Sequence, residues 1–250
     1  MIQKGKSKIK MAVVVPCYRV RNKIQFVLEK IGKEVSAIYV VDDACPEKTG
    51  EYVMIFNKDK RVKVIYHEKN QGVGGAVITG YRQAIADDAD IIVKIDGDGQ
   101  MNPELIPFFI KPILEGKADY TKGNRFHSRD FLHKMPKLRL FGNSLASLIN
   151  KAVSGYWDIM DPSNGYTAIH SSIVKMLPLD KIEKRYFFES DMLFWLSTIR
   201  AVVTDIPMKS VYENEPSSLQ IRRVLFEFPW KYCKRFFQRI FYLYFWRDFN

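Results

Sequence analysis

The chain is poor in cysteine. Cys17, Cys45 and Cys233 are its only three, and no two of them form a CxxC pair. Such a set supports neither a disulfide framework nor a zinc site and fits a reducing setting. Long apolar runs are also missing: no stretch reaches the roughly 18 residues that a membrane-spanning helix needs. Residues 1–10 are basic, but the apolar run behind them, 11–15, stops at Pro16 and is too short for a signal-peptide core. The expectation is a chain that stays in the cytoplasm. Acidic residues are outnumbered, 28 Asp and Glu against 39 Lys and Arg, for a net charge of +11. That excess suits nucleic acid, nucleotide phosphates or an anionic lipid surface, or serves solubility alone.

At 250 residues there is room for one large α/β domain, with or without an appendage. Short β-rich runs at 11–15, 37–41, 62–66 and 91–95 alternate with helical spacing at 22–34, around 52–56, at 72–86 and at 103–114. Alternation of this kind predicts an α/β fold, a mostly parallel central sheet flanked by helices. Ligands of such sheets bind beyond the carboxyl ends of the strands. Tyr18, Asp42 with Asp43, and Asp96 with Asp98 follow the first, second and fourth runs, so they converge on one edge. Further on, 127–137 reads as a charged loop, 138–153 and 189–199 as helices, and 201–206 as a late strand. Residues 1–215 are expected to form the catalytic domain and 216–250 a C-terminal amphipathic helical extension.

Residues 96–100, Asp-Gly-Asp-Gly-Gln, deliver two carboxylates and an amide directly after an apolar run. In an extended segment residues i and i+2 share a face, so Asp96, Asp98 and Gln100 can point together. Hard oxygen ligands of this kind suit Mg²⁺ or Mn²⁺, an ion that neutralises a departing diphosphate. An EF-hand register fails, because Met101 and Pro107 stand where Gly and Glu are needed. A plain Asp-Gly turn is the other reading. The glycines of 70–76, Asn-Gln-Gly-Val-Gly-Gly-Ala, do not form the dinucleotide fingerprint and lack the phosphate-gripping lysine; Gly72 and its neighbours instead allow close backbone approach. Asp42 and Asp43 can accept hydrogen bonds from a base or a ribose, or can cap the following turn.

Residues 221–250 interleave Arg222, Arg223, Lys231, Lys234, Arg235, Arg239 and Arg247 with a dense set of aromatics. Helices of this composition lie in membrane interfaces. The stripe could instead pack on the domain or form a homo-oligomer contact. Nucleic acid is not expected, because no recognition module accompanies the stripe.

In order along the chain, Val14-Val15-Pro16-Cys17-Tyr18, Val40-Val41-Asp42-Asp43, the N-x-G-x-G-x-A-x-x-x-G pattern of 70–80, Asp96-Gly-Asp98-Gly-Gln100, Gly123-Asn-Arg125-Phe126 and Asp161-Pro-Ser163-Asn164-Gly165-Tyr166 resemble the family 2 glycosyltransferases of GT-A fold. Within that family the dolichyl- and polyprenyl-phosphate sugar synthases look most similar. The chain carries Arg19-Val20 where the family often has Asn-Glu. The resemblance implies that Pro16, Tyr18, Asp43 and the Gly72 loop border a nucleotide sugar. It further implies that Asp96, Asp98 and Gln100 hold the metal, and that Arg125 faces a phosphate.

In inverting members a carboxylate in a late segment such as 187–192 acts as base, which points to Asp191 ahead of Glu189; both carboxylates also suit a helix N-terminus. A hydroxyl acceptor of a glycan needs that base. A lipid phosphate does not, and would be held by cations, with Arg125 and Arg139 as candidates. The expectation is an inverting, metal-dependent transfer from a UDP- or GDP-sugar to a polyprenyl phosphate, at the cytoplasmic face of a membrane. A membrane-tethered nucleotide-sugar binder without turnover is the non-enzyme rival.

Overall fold

The computed structural model describes residues 9–127, 137–209 and 221–247. The strands are β1 (Met11–Cys17), β2 (Ala37–Asp42), β3 (Val62–Tyr66), β4 (Ile91–Lys94), β5 (Tyr120–Asn124), β6 (Thr167–His170) and β7 (Val203–Pro207). They form one sheet in the order β3-β2-β1-β4-β6-β5-β7. Only β6 runs against its neighbours, β4 and β5; the remaining pairs are parallel. The mostly parallel α/β sheet read from the sequence is therefore present. Because β1 is covered on both faces, its run of apolar residues is continuous, as central parallel strands require. Ala12 and Val14 face one core and Val13 and Val15 the other, following the two-residue alternation of a strand.

The helices are α1 (Arg21–Glu29), α2 (Thr49–Phe56), α3 (Val73–Ala86), α4 (Ile106–Leu114), α5 (Lys137–Ser154), α6 (Ser171–Met176), α7 (Phe188–Thr198) and α8 (Ile221–Phe241). Helix α3 lies directly on β1: a Cβ at Gly80 would collide with the Val14 side chain, so only glycine permits the approach. Helix α8 continues into a π-helical turn, Tyr242–Arg247. It packs one face against α5 and α7, with Tyr232 and Arg235 buried there.

Two boundaries and two strands differ from the sequence expectation. β1 runs through Pro16 to Cys17, because its ladder with β4 has ended at Val14 and β2 alone is paired with it there. A proline with a single neighbouring strand removes little of the ladder. Helix α1 begins at Arg21 with no side-chain cap, so Asn22 is not its cap. β5 and β6 were not anticipated at all: β5 reads Tyr-Thr-Lys-Gly-Asn, yet every residue of it is buried. The expected loop at 127–137 and the 215/216 boundary lie almost wholly outside the described residues.

Candidate active site

Strands β1, β2, β4 and β5 run the same way, so the residues that follow them share one edge of the sheet. Antiparallel β6 enters from that edge, which brings the 161–166 segment to it as well. Tyr18, half exposed, follows β1, and Pro16 is buried beneath it.

After β2 the two carboxylates turn inward. Asp42 accepts the N–H groups of Cys45 and Gly50 at 2.7 and 2.6 Å and closes the turn into α2. Asp43 accepts Gln71 N–H at 2.8 Å and Gly72 N–H at 2.7 Å, and lies 2.7 Å from His67 Nδ1. His67 in turn reaches Thr79 Oγ1 on α3 at 2.9 Å. Asp43 therefore clamps the loop in which Gly72 adopts φ = 88°. Both carboxylates are buried and accept backbone N–H groups, so in this structure they shape the turn and the loop.

After β4 the chain turns at once; β4 ends at Lys94, so the strand alternation invoked for Asp96, Asp98 and Gln100 does not apply. Asp98 Oδ1 accepts Gln100 N–H at 3.0 Å. Asp96 Oδ1 lies 2.8 Å from Nζ of the buried Lys94, which also reaches Glu189 Oε1 on α7 at 3.2 Å. Burial pulls the Lys94 pKa down, but Asp96 and Glu189 outweigh it and hold the ammonium charged, well above the ordinary lysine range. The 161–166 segment presses on this pair: a Cβ at Gly165 would stand 2.7 Å from Asp96 Oδ2 and against Lys94 Nζ. All three residues of the Asp96–Asp98–Gln100 turn remain partly open to solvent, and their oxygens fit a hard divalent cation. Among the described residues no group of three or more His, Cys, Asp or Glu side chains surrounds a metal position. An ion at this turn would therefore share its coordination with a bound ligand.

Arg125, just after β5, is gripped by a fully buried carboxylate. Its Nε donates to Asp161 Oδ2 at 2.6 Å, and Nη2 donates to Asp161 Oδ1 at 2.9 Å and to Ser163 Oγ at 3.2 Å. A family model described as "Glycosyl transferase family 2" matches residues 12–177. The chain belongs to glycosyl transferase family 2.

This family 2 glycosyltransferase is 29% identical, over 80% of its length and 85% of the relative's, to a UDP-N-acetylglucosamine–dolichyl-phosphate N-acetylglucosaminyltransferase of Methanococcus voltae. It is 27% identical to an undecaprenyl-phosphate mannosyltransferase of Micrococcus luteus, over 81% of this chain and 84% of that one. Among solved structures, glucosyl-3-phosphoglycerate synthase of Mycobacterium tuberculosis with Mn²⁺, UDP and phosphoglyceric acid superposes with a TM-score of 0.67 at 18% identity. The match covers 92% of this chain and 78% of that one. The fold is GT-A, and within the family the chain resembles the polyprenyl-phosphate sugar synthases.

The acceptor side departs from the sequence reading. Asp191 is fully buried, and Arg235 of α8 holds it through Nε at 2.6 Å and Nη2 at 2.9 Å. A carboxylate so enclosed does not reach an acceptor hydroxyl in this arrangement. Glu189, two residues before it on α7, is the member of the pair that meets the Asp96 turn, through Lys94. The side chain of Arg139 lies outside the described residues. Lys94, His67 and Lys122 were not singled out as site residues, and Asp161 stood out only as part of the 161–166 segment. A lysine inside an otherwise apolar strand, as in Ile-Ile-Val-Lys, was the one available signal.

Lys122 is buried and donates to Asn164 O at 2.6 Å. Burial pulls its pKa from 10.5 down to about 8, partly offset by Glu189 and Asp161. Between these two values the unfolded chain binds the extra proton, so stability rises with pH across that window. Urea unfolding at about pH 8 and about pH 10 should show the enzyme gaining stability relative to Lys122→Met. An identical pH dependence in the two proteins would contradict the assignment.

Proposed function

We propose that the enzyme transfers a sugar from a UDP- or GDP-sugar to a polyprenyl or dolichyl phosphate, with inversion at the anomeric carbon. The observation that carries this reading is a contrast: a cation stands fixed at the sheet edge, while the expected base is withdrawn from it. A lipid phosphate oxygen is anionic near neutral pH, so it attacks without surrendering a proton and needs a cation to hold it. Arg125, fixed in place by Asp161 and partly open to solvent, answers that need. A sugar hydroxyl would need a base, and Asp191 would first have to leave Arg235. The names of the relatives, which specify dolichyl and undecaprenyl phosphate, support the same acceptor.

In the transfer a phosphate oxygen lone pair forms the bond to the anomeric carbon. The bond to the diphosphate oxygen breaks, its electron pair leaves with the nucleotide diphosphate, and no proton moves. Pro16, Tyr18 and the Gly72 loop border the nucleotide, with the loop braced by Asp43. Asp98, with Asp96 and Gln100 beside it, would hold Mg²⁺ or Mn²⁺, which when bound offsets the charge of the departing diphosphate. Lys94 engages Asp96 and so favours Asp98 as the principal ligand. The similar synthase was solved with UDP and either Mn²⁺ or Mg²⁺, which supports a divalent ion here.

The reaction is proposed to run at the cytoplasmic face of an anionic membrane, a reading that helix α8 supports. Trp230, Phe237 and Phe241, at helical spacing and 72%, 63% and 57% exposed, form a stripe with Lys234 opposite the packed residues Tyr232 and Arg235. An outward apolar face with cations suits a lipid interface. No helix among the described residues is long and apolar enough to cross a membrane.

Incubation with undecaprenyl phosphate, Mn²⁺ and radiolabelled UDP- and GDP-sugars should yield a mild-acid-labile lipid product, reduced at least about tenfold in Arg125→Ala. Labelling of a glycan hydroxyl with no lipid product would overturn the acceptor assignment. Separately, the double change Trp230→Ser, Phe237→Ser should lower co-sedimentation with phosphatidylglycerol vesicles; equal sedimentation would remove α8 from the membrane.

A further inference from the structure

Asp191 sits at a junction rather than in a reaction path. Besides Arg235, its Oδ2 accepts Glu183 N–H at 2.9 Å. The Arg235 guanidinium lies 4.9 and 5.0 Å from the ring centroids of Phe194 and Trp195, and donates to Lys181 O at 3.2 Å. Two further contacts tie α8 to the same stretch: Tyr232 Oη with Ser190 Oγ, and Lys231 Nζ with Glu183 Oε2, each at 2.9 Å. Residues 181–191 are therefore held from behind by the C-terminal helix.

The front of that stretch touches the donor side of the site twice. Lys184 O accepts Gly75 N–H at 3.1 Å. A Cβ at Gly72 would meet Lys184 O at 2.6 Å, and one at Gly74 would meet Glu183 O at the same distance, so the strap lies flush on the glycine loop. Further along, Glu189 takes Lys94, which holds Asp96. Asp191 thus lies two residues from the Glu189 contact and bonds directly to the strap.

We propose that Asp191 and Arg235 are a positioning pair, through which the C-terminal helix holds the glycine loop and the Asp96 turn in register for the donor. The inference rests on the donor-site reading given above. A buried ion pair suits this role. Its bidentate fork fixes both distance and direction, and loss of one partner leaves an uncompensated charge that displaces its surroundings. The C-terminal helix is then part of the catalytic unit as well as its membrane-facing surface.

The test compares full-length wild type with Asp191→Asn, Arg235→Lys and Tyr232→Phe. Calorimetry measures the Kd of UDP and GDP with Mn²⁺, and transfer to undecaprenyl phosphate gives kcat and donor KM. Melting temperature confirms folding. Positioning predicts that Kd and donor KM rise about tenfold in Asp191→Asn and Arg235→Lys, with kcat changing far less. Tyr232→Phe, which loses only the hydroxyl contact, should shift the same way by a smaller factor, and decides the matter if Asp191→Asn fails to fold. A fall in kcat of about a hundredfold in Asp191→Asn, with nucleotide affinity unchanged, would restore Asp191 as a base and overturn the proposal. Wild-type affinity in folded Arg235→Lys and Tyr232→Phe would overturn it too. Wild type that binds neither nucleotide would instead overturn the donor-site reading on which it rests.

Discussion

The ammonium of Lys94 is the constraint around which the site is built. Taking a charge out of water costs several kcal/mol unless it is paired and hydrogen-bonded. Lys94 meets that condition with Asp96 on its own chain segment and Glu189 on α7. One buried charge therefore decides where the turn after β4 points and how α7 approaches the sheet. The same crowding explains Gly165, where any side chain would strike both Lys94 and Asp96. A charged atom at the meeting of strand, turn and helix is costly to assemble, and its two partners are what make it tolerable.

Around this centre, buried carboxylates act mainly as supports. Asp43 holds the Gly72 loop, Asp161 orients Arg125, and Asp191 receives Arg235. Each holds something else in place: a glycine loop, a guanidinium, or a helix. What remains partly open is the Asp96–Asp98–Gln100 turn together with the Arg125 guanidinium. Such a surface suits a substrate that arrives with its own negative charge, and it fits the excess of basic residues along the chain.

The first half of the fold was legible because its signals are apolar and periodic. The first four strands and the helices between them follow from hydrophobic runs, and their carboxyl ends correctly bring Tyr18, Asp43 and the Asp96 turn to one edge. β5 and β6 were not, because Lys122, Thr121 and Asn124 look like loop residues until their partners are known. Thr121 Oγ1 donates to Phe109 O, and Lys122 to Asn164 O. Such pairings join residues far apart in sequence and leave no local pattern. The same limit governs Asp191: periodicity places it on a helix, but its partner Arg235 lies 44 residues away. Residue type identified the acidic positions, while only the packing separates a ligand from a strut.

The turn held by Lys94 is, in this account, where a metal-bound nucleotide diphosphate docks. Thermal unfolding of wild type and Asp98→Asn with UDP or GDP, each with and without Mn²⁺, addresses that claim directly, since a ligand of the native state raises apparent stability. The melting temperature of wild type should rise only when nucleotide and Mn²⁺ are present together, and the rise should disappear in Asp98→Asn. A rise of equal size in Asp98→Asn, or one indifferent to Mn²⁺, would contradict the claim.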